Sequence, residues 1–209
     1  VILLFDVEAV RFLSILFMLG AIMRVILMAR FTRKRQDLGS VKASKPTSSG
    51  LQQVWIFLDL LLPLLFMLTG AILPSLVYRT ILNFSFIGAD FLQIASMILF
   101  FSGLILLGTA YRAIGQLNRP RIEVLEKHGL VTIGPYSRVR HPVYTGALLM
   151  VLGVTLLFLN VVLVVGFLAM VGIAYRKAVL EEEFLASEDG FGKAYIDYRV
   201  KTGRFLPRL

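Results

Sequence analysis

Both histidines of the chain, His128 and His141, fall in one stretch, "HGLVTIGPYSRVRHPVYTGALL" (128–149), set between long apolar runs. A second polar cluster, "RKAVLEEE" (176–183), ends the next apolar run and supplies Arg176, Lys177, Glu181, Glu182 and Glu183. Cations of this kind can grip a carboxylate, and the carboxylates can hold a cationic group. Other chemistries are disfavoured. With no cysteine there is no disulfide, thiolate metal ligand or cysteine nucleophile. Two histidines argue against a histidine-rich metal centre, and no metal ligands are assigned. No glycine-rich dinucleotide fingerprint occurs, which argues against a soluble Rossmann-type enzyme.

The elements that must position these residues are hydrophobic. Of 209 residues, 57% are hydrophobic and 17% charged, with a mean hydropathy of +0.80. That apolar share exceeds what a soluble domain can cover with polar surface, so the bilayer is the expected solvent. The net charge of +9 fits lysines and arginines marking cytoplasmic loops, and no nucleic-acid partner is expected. A spanning helix needs about 20 apolar residues. Candidate spans run from about Val10 to Phe31, Val54 to Tyr78 and Asp90 to Tyr111. The block Val143 to Tyr175 is too long for one span and carries Asn160 near its middle, so it reads as a helical hairpin, spans four and five. Arg24, near the basic end of the first span, is expected to snorkel. Pro63 and Pro74 are expected to kink the second. The leading segment reads as a retained span rather than a signal peptide. The polar linker that follows it, "TRKRQDLGSVKASKPTSSG", reads as a mobile loop.

Loop charge predicts orientation. Arg30, Arg33, Lys34, Arg35, Lys42 and Lys45 face only Asp37 in loop 30–50, and loop 111–142 is also basic, whereas the connection after Tyr78 carries only Arg79. Both basic loops and the C-terminus are therefore expected on the cytoplasmic side, with the N-terminus outside. The predicted fold is an all-α, multi-pass integral membrane protein of five transmembrane helices. Residues 1–110 form a three-span membrane region and residues 111–209 a cofactor-binding catalytic region. In the tail, Leu180, Phe184, Phe191, Tyr195 and Tyr198 recur at near-helical spacing, interrupted at "EDGFG". This reads as a cytoplasmic amphipathic helix against the membrane surface or the protein body.

A turn at Asn160 brings positions equally far on either side of it to similar depth. Tyr144 then lies level with Arg176, and His141 near Glu181. "RHPVY" and "RKAVLEEE" should meet at one mouth, gathering Arg140, His141, Tyr144, Arg176, Lys177, Glu181, Glu182 and Glu183. Pro142 suits the first position of a helix, where its missing N–H costs nothing. Gly129 and Gly134-Pro135 permit tight turns upstream. A loop folded over that mouth would form a lid or cofactor collar.

The combined pattern of His-x-Leu-Val-Thr, Gly-Pro-Tyr, Arg-His-Pro-x-Tyr, Glu-Glu-x-x-Leu and Phe-Gly-x-x-Tyr-x-x-Tyr, over about residues 115–209, resembles the isoprenylcysteine carboxyl methyltransferase family. The resemblance implies an integral-membrane enzyme using S-adenosylmethionine as cofactor, bound in a cytoplasm-facing pocket of the C-terminal spans. Carried over by motif, the cofactor-binding residues are His128, Gly129, Leu130, Val131, Tyr136, His141, Pro142, Val143, Tyr144 and Glu181. The family's substrate-holding arginine matches Lys177 by position. Its neighbour Arg176 could take the role, and is preferred because a guanidinium grips a carboxylate with two parallel hydrogen bonds. Two departures stand out: Arg121 replaces a frequent glutamine, and Ser187 to Gly190 lengthen the segment after "EEEFL".

The expected reaction moves a methyl group to the carboxylate of a lipophilic acceptor, such as a prenylated cysteine, at the cytoplasmic face among membrane lipids. A carboxylate is ionised at neutral pH, so no strong base is needed. Alternative readings are a phospholipid amine N-methyltransferase, an NADPH-dependent sterol-type reductase and a non-catalytic membrane scaffold.

Overall fold

A computed structural model describes residues 5–32, 40–45, 48–78, 80–117, 122–125 and 129–208. In chain order the elements are α1 (Val7–Thr32), β1 (Val41–Lys45), α2 (Ser49–Ile72), α3 (Ala89–Ile114), β2 (Ile122–Leu125), α4 (Pro142–Phe158), α5 (Val161–Ala186) and α6 (Lys193–Lys201). Helices α1, α2, α3 and α5 are each long and apolar enough to cross a membrane. Helix α4 is apolar but has 17 residues, about 25 Å at 1.5 Å per residue, short of a hydrocarbon core of about 30 Å. Among the described residues, the bundle therefore has four membrane-length helices and a shorter fifth. Large apolar side chains such as Phe12, Ile98 and Leu168 point outward, more than 60% exposed, the surface expected where lipid replaces water.

Helix α2 is continuous but widens into a π turn at Phe57–Leu61, just before Pro63. Proline has no N–H for the carbonyl four residues back, and its ring crowds that carbonyl, which here belongs to Asp59. An extra residue in the turn relieves the clash. The distortion at Pro63 is thus the one expected, whereas Pro74 does not kink a continuing helix: α2 ends at Ile72, and Pro74 opens a separate 3₁₀ turn, Pro74–Leu76. Asp59 lies in the π turn and is buried. Its two oxygens accept from Arg24 Nη1 at 2.8 Å and Nη2 at 2.5 Å. Arg24 consequently does not snorkel to the interface. In an apolar interior, a bidentate carboxylate compensates a guanidinium better than a stretched side chain does. The pair borders a cavity of about 20 Å³ lined by Pro63, Met67, Phe100, Met150 and Val154, among others, room for about one water.

Helices α3 and α4 pack closely because glycines let their backbones approach. A Cβ at Gly103 would lie 2.6 Å from the Gly146 carbonyl oxygen, and one at Gly153 would lie 2.8 Å from that of Ser96. The hairpin turn falls where the sequence puts it. Leu159 takes a left-handed conformation (φ 47°), and the Asn160 side chain accepts from the Val162 N–H at 3.0 Å, capping α5. Asn83 Nδ2 donates to the Phe158 carbonyl at 2.7 Å, and Gln93, fully buried, donates to Tyr78 Oη and the Leu157 carbonyl. These side chains supply partners to a helix end that lipid could not.

The fold is not purely α-helical. Part of the linker expected to be a loop forms β1, which pairs antiparallel with β2, aligning Val41 with Leu125 and Lys45 with Ile122. Ala43 packs beside Phe184 of α5. The linker carries little apolar periodicity because a short ribbon is held by backbone bonds, which side-chain patterning does not report. Helix α5 runs past the apolar block to Ala186, the chain turns through Ser187–Gly192, and α6 turns Tyr195 inward. The interruption at "EDGFG" is thus where the sequence places it.

Two outcomes test this packing. Asp59→Leu or Arg24→Met alone strands a buried charge and should cost about 3–5 kcal/mol. The double variant should recover much of that loss, read as the thermal midpoint in detergent. Gly103→Leu should lower the midpoint further than a lipid-facing Ile98→Leu change, because the α3–α4 contact has no room for a side chain.

Candidate active site at the mouth of the helical hairpin

The segment before α4 is shaped by turns. Gly134–Ser137 form a 3₁₀ turn with Gly134 at φ 60°, and His141 precedes Pro142, the first residue of α4. The C-terminal tail then lies alongside. Arg140 N–H donates to the Gly203 carbonyl at 2.8 Å, His141 N–H to that of Arg204 at 3.1 Å, and Gly203 N–H to that of Arg138 at 3.1 Å. Thr145 Oγ1 donates to the Phe205 carbonyl at 2.8 Å. Backbone groups that a helix mouth would leave open are paired by the tail.

At the centre is the Glu182 carboxylate, almost fully buried. It accepts from Arg140 Nε at 3.0 Å and from Arg204 Nε and Nη2, both at 2.9 Å, and His141 Nε2 lies 3.2 Å from the same oxygen as Arg140. Arg140 also donates to the carbonyls of Arg199 and Thr202, and the Arg204 guanidinium stacks over Tyr175 at 4.8 Å. A carboxylate offers about four acceptor positions, and here four nitrogens of three cations from two segments approach it.

Beside this hub is the group that could contact a reactant. Tyr144 Oη donates to Glu181, whose other oxygen is 3.4 Å from His141 Nδ1. Glu181 is partly open, with a quarter of its side chain exposed. The His141 ring stacks on Tyr144 and bridges both glutamates. Burial alone would lower the His141 pKa, but the hydrogen bonds it donates to Glu181 and Glu182 outweigh it, and the pKa rises above 6.5. Only the imidazolium can donate from both ring nitrogens. Tyr136 is buried nearby, and burial followed by the Glu181 charge pushes its hydroxyl well above the ordinary tyrosine range. It is thus kept as a neutral donor. Tyr198 Oη holds the Tyr136 carbonyl at 2.6 Å.

Lys177 and Arg176 part company. Lys177 is buried, with Nζ donating to Gln52 Oε1 of α2 at 2.8 Å and lying over the rings of Trp55 and Tyr144 at 5.2 and 5.5 Å. Arg176 is exposed. On a helix, Lys177 is about 40° from Glu181 in projection and Arg176 about 140°. That arithmetic was available in the sequence. Among the other expected site residues, Pro142 is buried and Val143 packs into the main core. Gly129 is exposed and Leu130 and Val131 are half-buried. His128 and Arg121 lie outside the described residues. The Ser187–Gly190 segment forms a compact turn, with Gly190 N–H donating to the Ser187 carbonyl at 3.0 Å.

Sequence reasoning missed Arg204, Gln52 and Trp55. Arg204 lies beyond a turn and a helix from Glu182, and Gln52 and Trp55 precede the motifs altogether. Their only signal was a polar residue and a tryptophan at i, i+3 near the start of an apolar run.

The network sets a pH dependence. A His141 pKa raised in the folded state gives stability that is fully present below about pH 6.5, the unfolded value, and is lost as pH rises through the folded pKa. The melting temperature in detergent should therefore fall on going from mildly acidic to alkaline pH, and His141→Gln should flatten that slope. Glu182→Gln, which leaves two guanidinium groups short of a counter-charge, should cost about 3–5 kcal/mol at neutral pH.

Residues 91–190 match the family described as phospholipid methyltransferase. Protein-S-isoprenylcysteine O-methyltransferase A of Arabidopsis thaliana is 32% identical over 87 residues, covering 42% of this chain and 44% of that protein. Protein-S-isoprenylcysteine O-methyltransferase B of the same plant is 33% identical over 97 residues, 46% of this chain and 48% of that protein. The Xenopus laevis protein-S-isoprenylcysteine O-methyltransferase is 34% identical over 85 residues, 41% of this chain and 29% of that protein. The chain matches less than half the length of each of these curated relatives. Through residues 91–190, the region that holds α4, α5 and their glutamates, the chain is similar to the phospholipid methyltransferase family, and over less than half its length to the protein-S-isoprenylcysteine O-methyltransferases.

Proposed function

We propose that the protein transfers the methyl group of S-adenosylmethionine to the carboxylate of a lipophilic acceptor, a prenylated cysteine or a molecule of that kind, at the cytoplasmic face of the membrane. The observation that carries this reading is the pairing, at one helix mouth, of a partly open carboxylate, Glu181, with a buried ammonium, Lys177, one helical turn away. A sulfonium donor with an amino group is cationic where it must be held, and a carboxylate flanked by aromatic faces suits it. Glu181, with Tyr136, His141 and Tyr144, would hold the donor. The exposed Gly129 and its neighbours Leu130 and Val131 would form one rim of the collar, together with His128. Bound there, the donor supplies an electrophilic methyl carbon on positively charged sulfur.

The remaining work belongs to the chain. Lys177 would hold the acceptor carboxylate, in preference to Arg176, which the fold turns outward. One carboxylate oxygen forms the new bond to the methyl carbon as the carbon–sulfur bond breaks, and its electron pair stays on sulfur. No proton moves, so no base is required. Positioning is then the main contribution, and near-attack geometry can supply about 7–11 kcal/mol of barrier lowering. His141, held as a cation between two glutamates, orients the carboxylate that faces the donor and acts as a positioning residue. Pro142 and Val143 shape the helix start that carries Tyr144. The acceptor's apolar tail would reach the site from the bilayer, and the basic loops support a site on the cytoplasmic side with the N-terminus outside.

Calorimetry of S-adenosylhomocysteine with the purified protein in detergent tests the reading. Binding is expected for the wild type and for Lys177→Ala, and should weaken at least tenfold in Glu181→Ala. Methyl transfer to N-acetyl-S-farnesylcysteine should fall by at least a hundredfold in Lys177→Ala and by less than threefold in Arg176→Ala. Binding of NADPH in place of S-adenosylhomocysteine would overturn the assignment, and transfer to a phospholipid amine alone would overturn the carboxylate acceptor.

A further inference from the structure

Among the described residues, the buried cation Lys177 has no dedicated counter-ion. Two carboxylates are near enough to be felt by it, Glu181 and Asp59, and both are committed elsewhere. Asp59 is taken up by the bidentate contact with Arg24, and the Glu181 oxygens face Tyr144 and His141. The recorded hydrogen bond of the Lys177 ammonium goes instead to a neutral oxygen, Gln52 Oε1, with the faces of Trp55 and Tyr144 on its flanks. A buried ammonium with three donors, one amide acceptor and two rings is undercompensated, since burial of a charge is costly unless an opposite charge completes it. Among the described residues, the site is one anion short.

Gln52 and Trp55 come from the start of α2, outside the segment that matches the methyltransferase family. They stand at i and i+3, so both face the hairpin mouth. The Trp55 ring meets Tyr144 edge-on at 5.2 Å, and Leu58, the next residue on that face, packs with Trp55 against Ala147, Val151 and Met170. The aromatic wall therefore continues into apolar side chains towards the membrane interior.

Resting on the methyltransferase reading, we propose that Gln52 holds the acceptor's seat on Lys177. Its amide oxygen occupies the position of the incoming carboxylate and yields to it, while Trp55 forms the wall along which the acceptor's first apolar atoms lie. Exchange of a neutral oxygen for an anionic one on a desolvated ammonium is favourable, whereas an uncharged ester or amide gains nothing over Gln52. The same exchange would help release a methylated product, whose ester can no longer compete with the amide. Acceptor selection is thus shared between the C-terminal motifs and the N-terminal membrane region, with Gln52 as a positioning and specificity residue.

The test uses the full chain in detergent, with S-adenosylmethionine as donor and N-acetyl-S-farnesylcysteine as acceptor. Gln52→Glu ties a carboxylate to Lys177 and should raise the acceptor KM at least tenfold, with kcat and the donor KM within twofold of wild type. Gln52→Met removes the competing oxygen at similar volume and should leave the acceptor KM at or below the wild-type value. An unchanged acceptor KM in Gln52→Glu, or equal losses in kcat and both KM values, would sink the proposal. If Gln52→Glu does not fold, judged by its melting temperature, Gln52→Met decides alone: a tenfold higher acceptor KM there would mean that Gln52 binds rather than yields. S-adenosylhomocysteine calorimetry keeps the two readings apart. Absence of binding to wild type defeats the methyltransferase assignment, while binding with wild-type acceptor kinetics in both variants defeats the Gln52 inference only.

Discussion

Everything at the helix mouth depends on the carboxylate of Glu182. It gathers Arg140 and His141 from the start of α4 and Arg204 from the C-terminal tail. Separately, each contact is an ordinary ion pair. Together they lie out of water, where a charge left without its partner is expensive, so the three segments are held as one unit. The consequence is rotational. With Glu182 fixed towards α4 and the tail, the helical repeat turns Glu181 to Tyr144, Lys177 to Gln52 of α2, and Arg176 outwards. The hub need not touch a reactant to decide which groups do.

The apolar interior is compensated in two contrasting ways. Arg24 and Asp59 form a closed pair in which a bidentate geometry satisfies both charges, made possible by a π turn that Pro63 imposes on α2. Lys177 is left open, with an amide and two rings standing where an anion would fit better. A closed pair holds helices together, and an open one binds. At the other end of the bundle, Asn83, Gln93 and Asn160 fasten the hairpin turn with amide hydrogen bonds, and the glycine contacts of α3 and α4 bring those helices close together. Rigidity at both ends is what lets catalysis by placement work, since that mechanism has little else to draw on.

Most of the helices were legible in the sequence. Apolar length marks them, Asn160 marks the hairpin turn, and equal counting from that turn brings Tyr144 level with Arg176 and His141 near Glu181; the structure joins His141 and Tyr144 to Glu181 and turns Arg176 outward. These properties are local or depend on a single fold-back, so composition and spacing contain them. The motif residues of the C-terminal half were equally readable, because they lie close together along the chain and their types are unusual in an apolar setting. The ends of α2 were less so: hydropathy continues past Ile72, but the helix stops where Pro74 begins a new turn.

What the sequence could not determine is which polar group answers which. Arg24 reads in the sequence as an interfacial arginine, and only the approach of α2 supplies Asp59. Arg204 finds Glu182, and β1 finds β2, across separations that carry no periodic signal. Gln52 meets Lys177 from the far side of the chain. Charge compensation in a low-dielectric interior is a property of neighbours in space, and it is satisfied pair by pair as helices pack. Hydrophobic length is a property of each segment alone. The sequence by itself therefore determined that this chain is a membrane bundle with a polar mouth, and the tertiary structure decided which cation in that mouth was left waiting for an anion.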